Sequence, residues 1–413
     1  MRRLRSRAYL SAALLLLVGA CAPDFTPAWE VAEPGLLASR VEIEGDTTGR
    51  SRPKLGEKFS VLQSIMLPGK SKAPLTKRFD GVLELCLGIK LSNGTLACAN
   101  AEDLGGIPSA LVLSQDPEAV SEHEMRFSGL AVPNFITQLP APFDDIDRLV
   151  LFGAVCVEGD VERIEGKQVG EDPFTELYRC TNNAAADYAD PLVFNFSVLL
   201  DLGRPGDENF HPSFACEAPE GADDACRAGV EVEGEDQVPG SIVLVKPKGG
   251  GESTRAEAWP SSPLAPTEEP PWTGCDRDDF WGPRVRAGDD EHTIRVRFDR
   301  LDRETYSYEV MRYNETVSVT DREELLVSHS ITNEGGELDR LFSVLARTLD
   351  DDAAEIEVGY KPPDQPGEKA EPEQRIPDDG RLVRFYFSVR DQRGGVDTTT
   401  RELCLLPELP KGP

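Results

Sequence analysis

The chain has 413 residues, with 74 acidic side chains against 44 lysines and arginines and a formal net charge of −30. A surface that acidic repels phosphate backbones and anionic head groups, which excludes nucleic acid as a partner and any peripheral, charge-driven membrane contact. Thirty-six glycines and 32 prolines in that length predict two or three domains with much of the chain in turns.

At the amino terminus, Arg2, Arg3, Arg5 and Arg7 stand without an acid, and an apolar run from Ala8 to Val18 follows, broken only by Ser11. This is a charged region and an apolar region of export-signal length, well short of the roughly 20 apolar residues that span a bilayer. The next residues, Val18-Gly19-Ala20-Cys21, resemble the lipobox of bacterial lipoproteins at all four positions. The resemblance implies a cleaved signal over residues 1–20, a lipid on the Cys21 thiol and an acylated, palmitate-type new amino terminus. Ala22, where an aspartate would imply retention at the inner membrane, implies the outer membrane. Several acyl chains, at about 0.8 kcal/mol per buried methylene, hold a protein on a membrane where one would only dwell there. Loss of the four arginines takes the formal charge from −30 to −34. Residues 21–56 contain prolines and show neither helical nor strand period, so they read as a tether.

Residues 57–213 are mostly period two: "KFSVLQSIML", "GVLELCLGIKL", "MRFSGLAV", "RLVLFGAVCV" and "LVFNFSVLL" are separated by Pro, Gly and Asp clusters. They predict a first β-sandwich. Residues 214–286 change texture, from the short acidic loop "CEAPEGADDAC" to a stretch with Gly-Gly-Gly and six prolines, which reads as an extended acidic linker. One strand there, "SIVLVKP", is assigned to the first domain. Residues 287–407 return to alternation, with about seven strands including "HTIRVRFDRL", "TYSYEVMRY", "ELLVSHSIT", "LFSVLA" and "AEIEVGYKP", as a second β-sandwich requires. "KPPDQPGEKAEPEQRIPDDG" is a long loop between two of them.

"LVFNFSV" at 192–198 and "LVRFYFSV" at 382–389 echo each other near the ends of the two domains, as a duplicated sandwich would. The tail "RFYFSVRDQRGGVDTTTRELCLL" resembles the closing hairpin of bacterial immunoglobulin-like and cadherin-like modules, with Asp391, Gly394 and Gly395 in the turn and Thr398 to Thr400 opening the last strand. The resemblance implies an immunoglobulin-like second domain. Alternation predicts Val383, Phe385, Phe387 and Val389 inward and Arg384, Tyr386, Ser388 and Arg390 outward.

With Cys21 lipidated, eight cysteines remain, and an even number in an exported chain reads as disulfides. Neighbours in sequence give Cys86–Cys98, Cys156–Cys180, Cys216–Cys226 and Cys275–Cys404. In "CLGIKLSNGTLAC" a two-residue Asn93-Gly94 turn puts Cys86 too far from Cys98. A five-residue loop from Lys90 to Gly94 pairs 89 with 95 and therefore 86 with 98. Zinc is the competing use, but no C-x-x-C occurs, and histidines at 123, 211, 292 and 329 have no ligand spacing.

Calcium is the one cofactor the chain offers material for. Asp144, Asp145 and Asp147, then Asp276, Asp278 and Asp279, and Asp350 to Asp352 form acidic loops that a hard cation could use, although none follows the spaced pattern with a mid-loop glycine. "LDRE" at 301–304 resembles a fragment of the cadherin calcium signature and stands alone. No nucleophile or zinc-protease motif is present, and His329 lies between two serines from which strand alternation turns it away. Trp259, Trp272 and Trp281 cluster near the linker, either to stack on sugars or to pack it onto the second domain.

The sequence therefore predicts an exported, lipid-anchored, all-β protein of two β-sandwich domains. Its role is structural or protein-interaction work at the cell envelope without catalysis, with an unidentified protein or glycan partner. A calcium- or carbohydrate-dependent adhesion module is the first alternative. A surface hydrolase with a carboxylate pair is the second.

Overall fold

The computed structural model is all β. It describes residues 30–31, 34–67, 79–90, 96–99, 110–114, 117–121, 123–131, 148–157, 159–169, 176–182, 192–201, 208–214, 241–246, 255–259, 275, 280, 282–298, 305–312, 315–322, 324–332, 335–338, 347–348, 355–367, 375–391 and 393–409.

Four sheets carry the fold. Sheet I orders Leu192–Asp201, Arg148–Val157 and Phe79–Lys90, with Leu96–Cys98 and Ala110–Ser114 sharing the outer edge of Phe79–Lys90. Sheet II orders Gly35–Ile43, Lys58–Met66, Glu124–Ala131 and Glu118–Ala119. Sheet III orders Glu30–Val31, Leu326–Thr332, Arg381–Arg390, Val396–Leu406 and Arg284–Arg286, with Arg347–Thr348 beside Leu326–Thr332. Sheet IV orders Arg255–Ala258, Ile242–Lys246, His292–Arg297, Glu355–Lys361 and Glu337–Leu338. Two ribbons, Asp160–Arg163 with Tyr178–Thr181 and Thr305–Arg312 with Glu315–Arg322, each pair only with themselves.

The sheets stack face to face, and strand alternation shows how. In Lys58–Met66, Phe59, Val61 and Ile65 point into the core shared with sheet I, against Leu83, Leu85, Leu149 and Leu151. The alternate residues Ser64 and Met66 face sheet III, where Ser64 Oγ lies 3.0 Å from Thr398 Oγ1 and Met66 packs beside Val31, Leu37 and Tyr386. Sheet III repeats the device. Val383, Phe385, Phe387 and Val389 enter a large core with sheet IV, against Ile294, Val296, Ile356 and Val358. Each such side chain contributes about 1.5–3 kcal/mol of burial. The layers therefore run I, II, III, IV, with two oily cores at the ends and a thin, more polar junction between II and III.

Several sequence expectations change here. Arg384, Tyr386 and Ser388 were expected outward to solvent, yet all three are buried, because sheet II covers the face that a lone sandwich would leave wet. Part of the stretch read as a tether, residues 21–56, is the strand Gly35–Ile43, with Val41 fully buried. Its alternation is hidden by a bulge: Leu36 pairs with Ile65 and Ala38 with Ser64, so Leu37 is an extra residue. The bulge turns Leu36 toward the core with sheet I and Leu37 toward the junction. Glu30–Val31, just before it in the chain and also within that stretch, pairs in parallel with Ile331–Thr332 at the edge of sheet III.

Within residues 214–286, read as a linker, Ile242–Lys246 and Arg255–Ala258 are strands of sheet IV. Ile242–Lys246 pairs with His292–Arg297, so "SIVLVKP" belongs with the C-terminal sheets and not with the first domain. The echoing runs occupy different places: Leu192–Asp201 lies at the end of its sheet's order, whereas Arg381–Arg390 is central in sheet III. "LFSVLA" and "LDRE" lie outside the described residues.

The closing hairpin joins Arg381–Arg390 to Val396–Leu406 through residues 391–395, with Arg390 opposite Val396. Asp391 Oδ1 accepts from the amides of Arg393 at 2.7 Å and Gly395 at 2.8 Å, an Asx-type turn. Gly394 takes φ +107°, open to glycine. A Cβ on Gly395 would come within 2.2 Å of Asp391 Oδ2 and 2.5 Å of Phe210 O, so this position must also be bare.

Candidate functional site

Of the residues that the sequence marked, Cys21, Cys216, Cys226, Asp144, Asp145, Asp147, Asp276, Asp278 and Asp279 lie outside the described residues, as do Asp350 to Asp352, Trp272 and Trp281. The other cysteines form Cys86–Cys98, Cys156–Cys180 and Cys275–Cys404. The register at the first bridge differs from the expected one. Lys90 pairs with Leu96 and Gly88 with Cys98, so the five-residue loop is 91–95 and Cys86 is not directly opposite Cys98. The edge position beside Cys86 is taken by Ala110. Cys98 therefore sits two residues along the same face, opposite Gly88, and the bridge runs diagonally with a Cα separation of 5.6 Å. Cys275–Cys404 ties the start of the C-terminal sheets to their last strand, and Gly380, at φ +86°, lets the backbone pass with no Cβ against either sulfur.

Polar side chains converge at the junction of sheets II and III. Arg40 of sheet II and Asp397 of sheet III form an ion pair at 2.8 Å, and the other Asp397 oxygen accepts from the Phe214 amide at 3.3 Å. Residues 208–214 run along this seam. Asn209, fully buried, donates from Nδ2 to Ser51 Oγ and to Asp391 Oδ2, both at 2.7 Å. His211 Nε2 donates to Val41 O at 2.6 Å while its Nδ1 accepts from the Val396 amide at 3.0 Å. That pattern requires the neutral Nε2–H tautomer. Burial, then the Arg40 charge, hold the imidazole pKa down at about 4. At the other end of the seam the Tyr386 hydroxyl donates to Leu67 O and accepts from Leu67 N, each at 3.0 Å. The buried His123 ring meets Tyr386 edge-on at 5.6 Å. Burial, then the Arg384 charge, push its pKa well below the ordinary histidine value. Burial raises Asp391 and Asp397, and their hydrogen-bond donors offset part of that rise.

A second polar group braces the outer face of sheet I. Buried Glu84 accepts from the Tyr178 hydroxyl and from Arg163, whose guanidinium lies 5.6 Å from the Tyr178 ring centroid. Burial, then the Glu84 carboxylate, raise the Tyr178 phenol. Asp80 Oδ2 accepts from the Val161 amide at 2.6 Å. These bonds fasten the Asp160–Arg163 ribbon over the sheet.

Trp259 is buried in the core of sheets III and IV, edge-on to Phe385 at 4.9 Å, and its Nε1 donates to Glu402 O at 2.8 Å. It has no face left for a sugar, and of the two roles weighed for the tryptophans it takes packing. Its carbonyl accepts from Arg401 Nε at 2.9 Å, and Arg401 also donates to Ser241 Oγ at 2.9 Å. His329 is a core residue between inward Val327 and Ile331, turned away from Ser328 and Ser330 as alternation requires. Among the described residues no three His, Cys, Asp or Glu side chains are grouped to hold a metal ion. No helix of the described residues is long and apolar enough to cross a membrane.

The seam residues His211, Asn209, Asp397 and Arg40 carried no sequence signal. They are isolated polar side chains far apart in the chain, and only the stacking of two sheets brings them together. Comparison with protein families and with curated proteins finds no match for this chain.

Proposed function

We propose that the chain is a lipid-anchored protein of the cell envelope, exported and acylated at Cys21, that does structural or protein-interaction work without catalysis. The lipobox-like Val18-Gly19-Ala20-Cys21 supports the anchor, and Ala22 supports the outer membrane. The strand-rich stack supports immunoglobulin-like modules as its building units.

The observation that carries the interaction reading is the ribbon Thr305–Arg322. Its two strands pair with each other over eight residue pairs and with no other described strand. Val317 is 38% exposed on it, next to exposed Ser318. A two-stranded hairpin alone is marginally stable in water, and a partner laid against it supplies what a third strand or a second layer would.

The anchor would hold the fold close to the lipid. Glu30 is nine residue steps from Cys21, which at full extension reach about 30 Å. The edge of sheet III at Ile331 then lies within that distance of the membrane surface, a far shorter leash than a tether reaching residue 56.

Two measurements in cells test the reading. Labelled palmitate is expected on the mature protein and lost in Cys21→Ser; label that persists on the variant removes the anchor. A photo-crosslinking residue at Val317 is expected to trap one discrete adduct in intact cells, and a control at Glu257 none. No adduct from Val317 would overturn the interaction role.

A further inference from the structure

We propose that the junction between sheets II and III is an acid-released clasp, shut while His211 and His123 are neutral and opened when they take up protons. The two imidazoles sit on one seam, in contact with both sheets. His211 bridges Val41 of sheet II to Val396 of sheet III, with each ring nitrogen used once. A proton on Nδ1 destroys the acceptor for the Val396 amide, turns two donors against each other and adds a cation near Arg40. His123 packs on Tyr386, its Nδ1 buried without a hydrogen-bond partner. A proton there is buried unpaired and beside Arg384.

The seam is the layer that can part. Each end of the stack has its own core, one between sheets I and II and one between sheets III and IV. The junction's apolar cluster is Val31, Leu37 and Tyr386, with Met66 against it. Among the described residues the rest of it is hydrogen bonds and the Arg40–Asp397 pair, groups that water can serve once the layers separate.

Other charges face these rings. Arg40 and Asp397 flank His211 from the two sheets, and Asp46 faces it from the turn after Gly35–Ile43. Arg384, paired with Glu402 at 3.0 Å, faces His123 from sheet III, and Glu124 follows it in the chain. Asp46 favours the imidazolium and the arginines oppose it. Asp391, Asp397 and Glu124 have pKa values raised by burial, so their protonation favours the closed form as pH falls. The two aspartates keep amide, Asn209 or Arg40 partners that limit this effect, whereas His123 Nδ1 has none. The sign is then set by the histidines. Their folded values lie below the unfolded one, so closure is complete above about pH 6.5 and is lost as pH falls toward 4.

Hydrogen exchange of the full chain at pH 7 and pH 4.5, corrected for intrinsic rates, tests this. A histidine at its ordinary 6.5 when open and at about 4 when closed raises the open population about 50-fold over that interval. The carboxylates reduce this, and a rise of at least about tenfold is expected at the Leu67 and Val396 amides, with Leu151 and Val358 in the two cores unchanged. The double variant His211→Gln, His123→Phe keeps a neutral donor and acceptor at 211 and is expected to abolish the rise. Junction amides that stay protected at pH 4.5, junction and core amides that loosen together, or a variant that opens like the parent would each overturn the clasp. Ring proton titration of the parent supplies a readout that needs no variant. Histidine signals that all titrate near 6.5 in the folded protein would also overturn it.

Discussion

Tyr386→Phe isolates one of the contacts that hold sheet II against sheet III. The change keeps the ring, which packs with Val31 and Leu37, and removes only an oxygen 3.0 Å from both Leu67 N and Leu67 O. Leu67 is fully buried, so neither backbone group has water to turn to. Two hydrogen bonds are lost, and a buried donor and acceptor are left unpaired at about 1–3 kcal/mol each. Partial relaxation of the strand end brings the expected loss to about 2–4 kcal/mol. The change should appear in urea unfolding as a lower midpoint with an unchanged slope. It should also appear as a Leu67 amide that exchanges roughly 30- to 1,000-fold faster, by the tenfold per 1.4 kcal/mol rule. A loss below about 0.5 kcal/mol with less than threefold faster exchange would mean that water reaches this seam, and the dry stacking of sheet II on sheet III would be refuted.

Two further outcomes follow from the braces. Replacing Cys275 and Cys404 together by alanine opens a 129-residue loop and should cost up to about 5 kcal/mol in chain entropy, read as a lower melting temperature; no change would mean that the bridge does not constrain the unfolded chain. Gly395→Ala drives a Cβ against Asp391 Oδ2 and Phe210 O and should cost about 1–3 kcal/mol, with the Val396 amide losing exchange protection first. A neutral Gly395→Ala would show that the closing turn has room that the geometry denies it.

Much of this protein was legible in its residues because strand formation leaves a local record. Runs such as "RLVLFGAVCV" and "RLVRFYFSVRD" read as strands from composition and period alone, and they are strands. Cysteine proximity in the chain gives four pairs, of which the three among the described residues are formed, though not with the expected register at Cys86, which the competing edge strand at Ala110 moves by two residues. The residues that resemble an export signal and a lipobox are wholly local as well, and they lie outside the described residues.

What only the tertiary structure decided is which face meets which. Period two says that Phe385 and Tyr386 point opposite ways, and it is silent on whether the second side is water or another sheet. The strand Gly35–Ile43 has no clean local period because one bulged residue, Leu37, shifts its phase near its start. The seam that joins the halves links His211 to Val396 across 185 residues and Arg40 to Asp397 across 357. No local pattern encodes such pairs, since each side chain is an ordinary polar residue until chain closure over that distance brings a partner and removes the water.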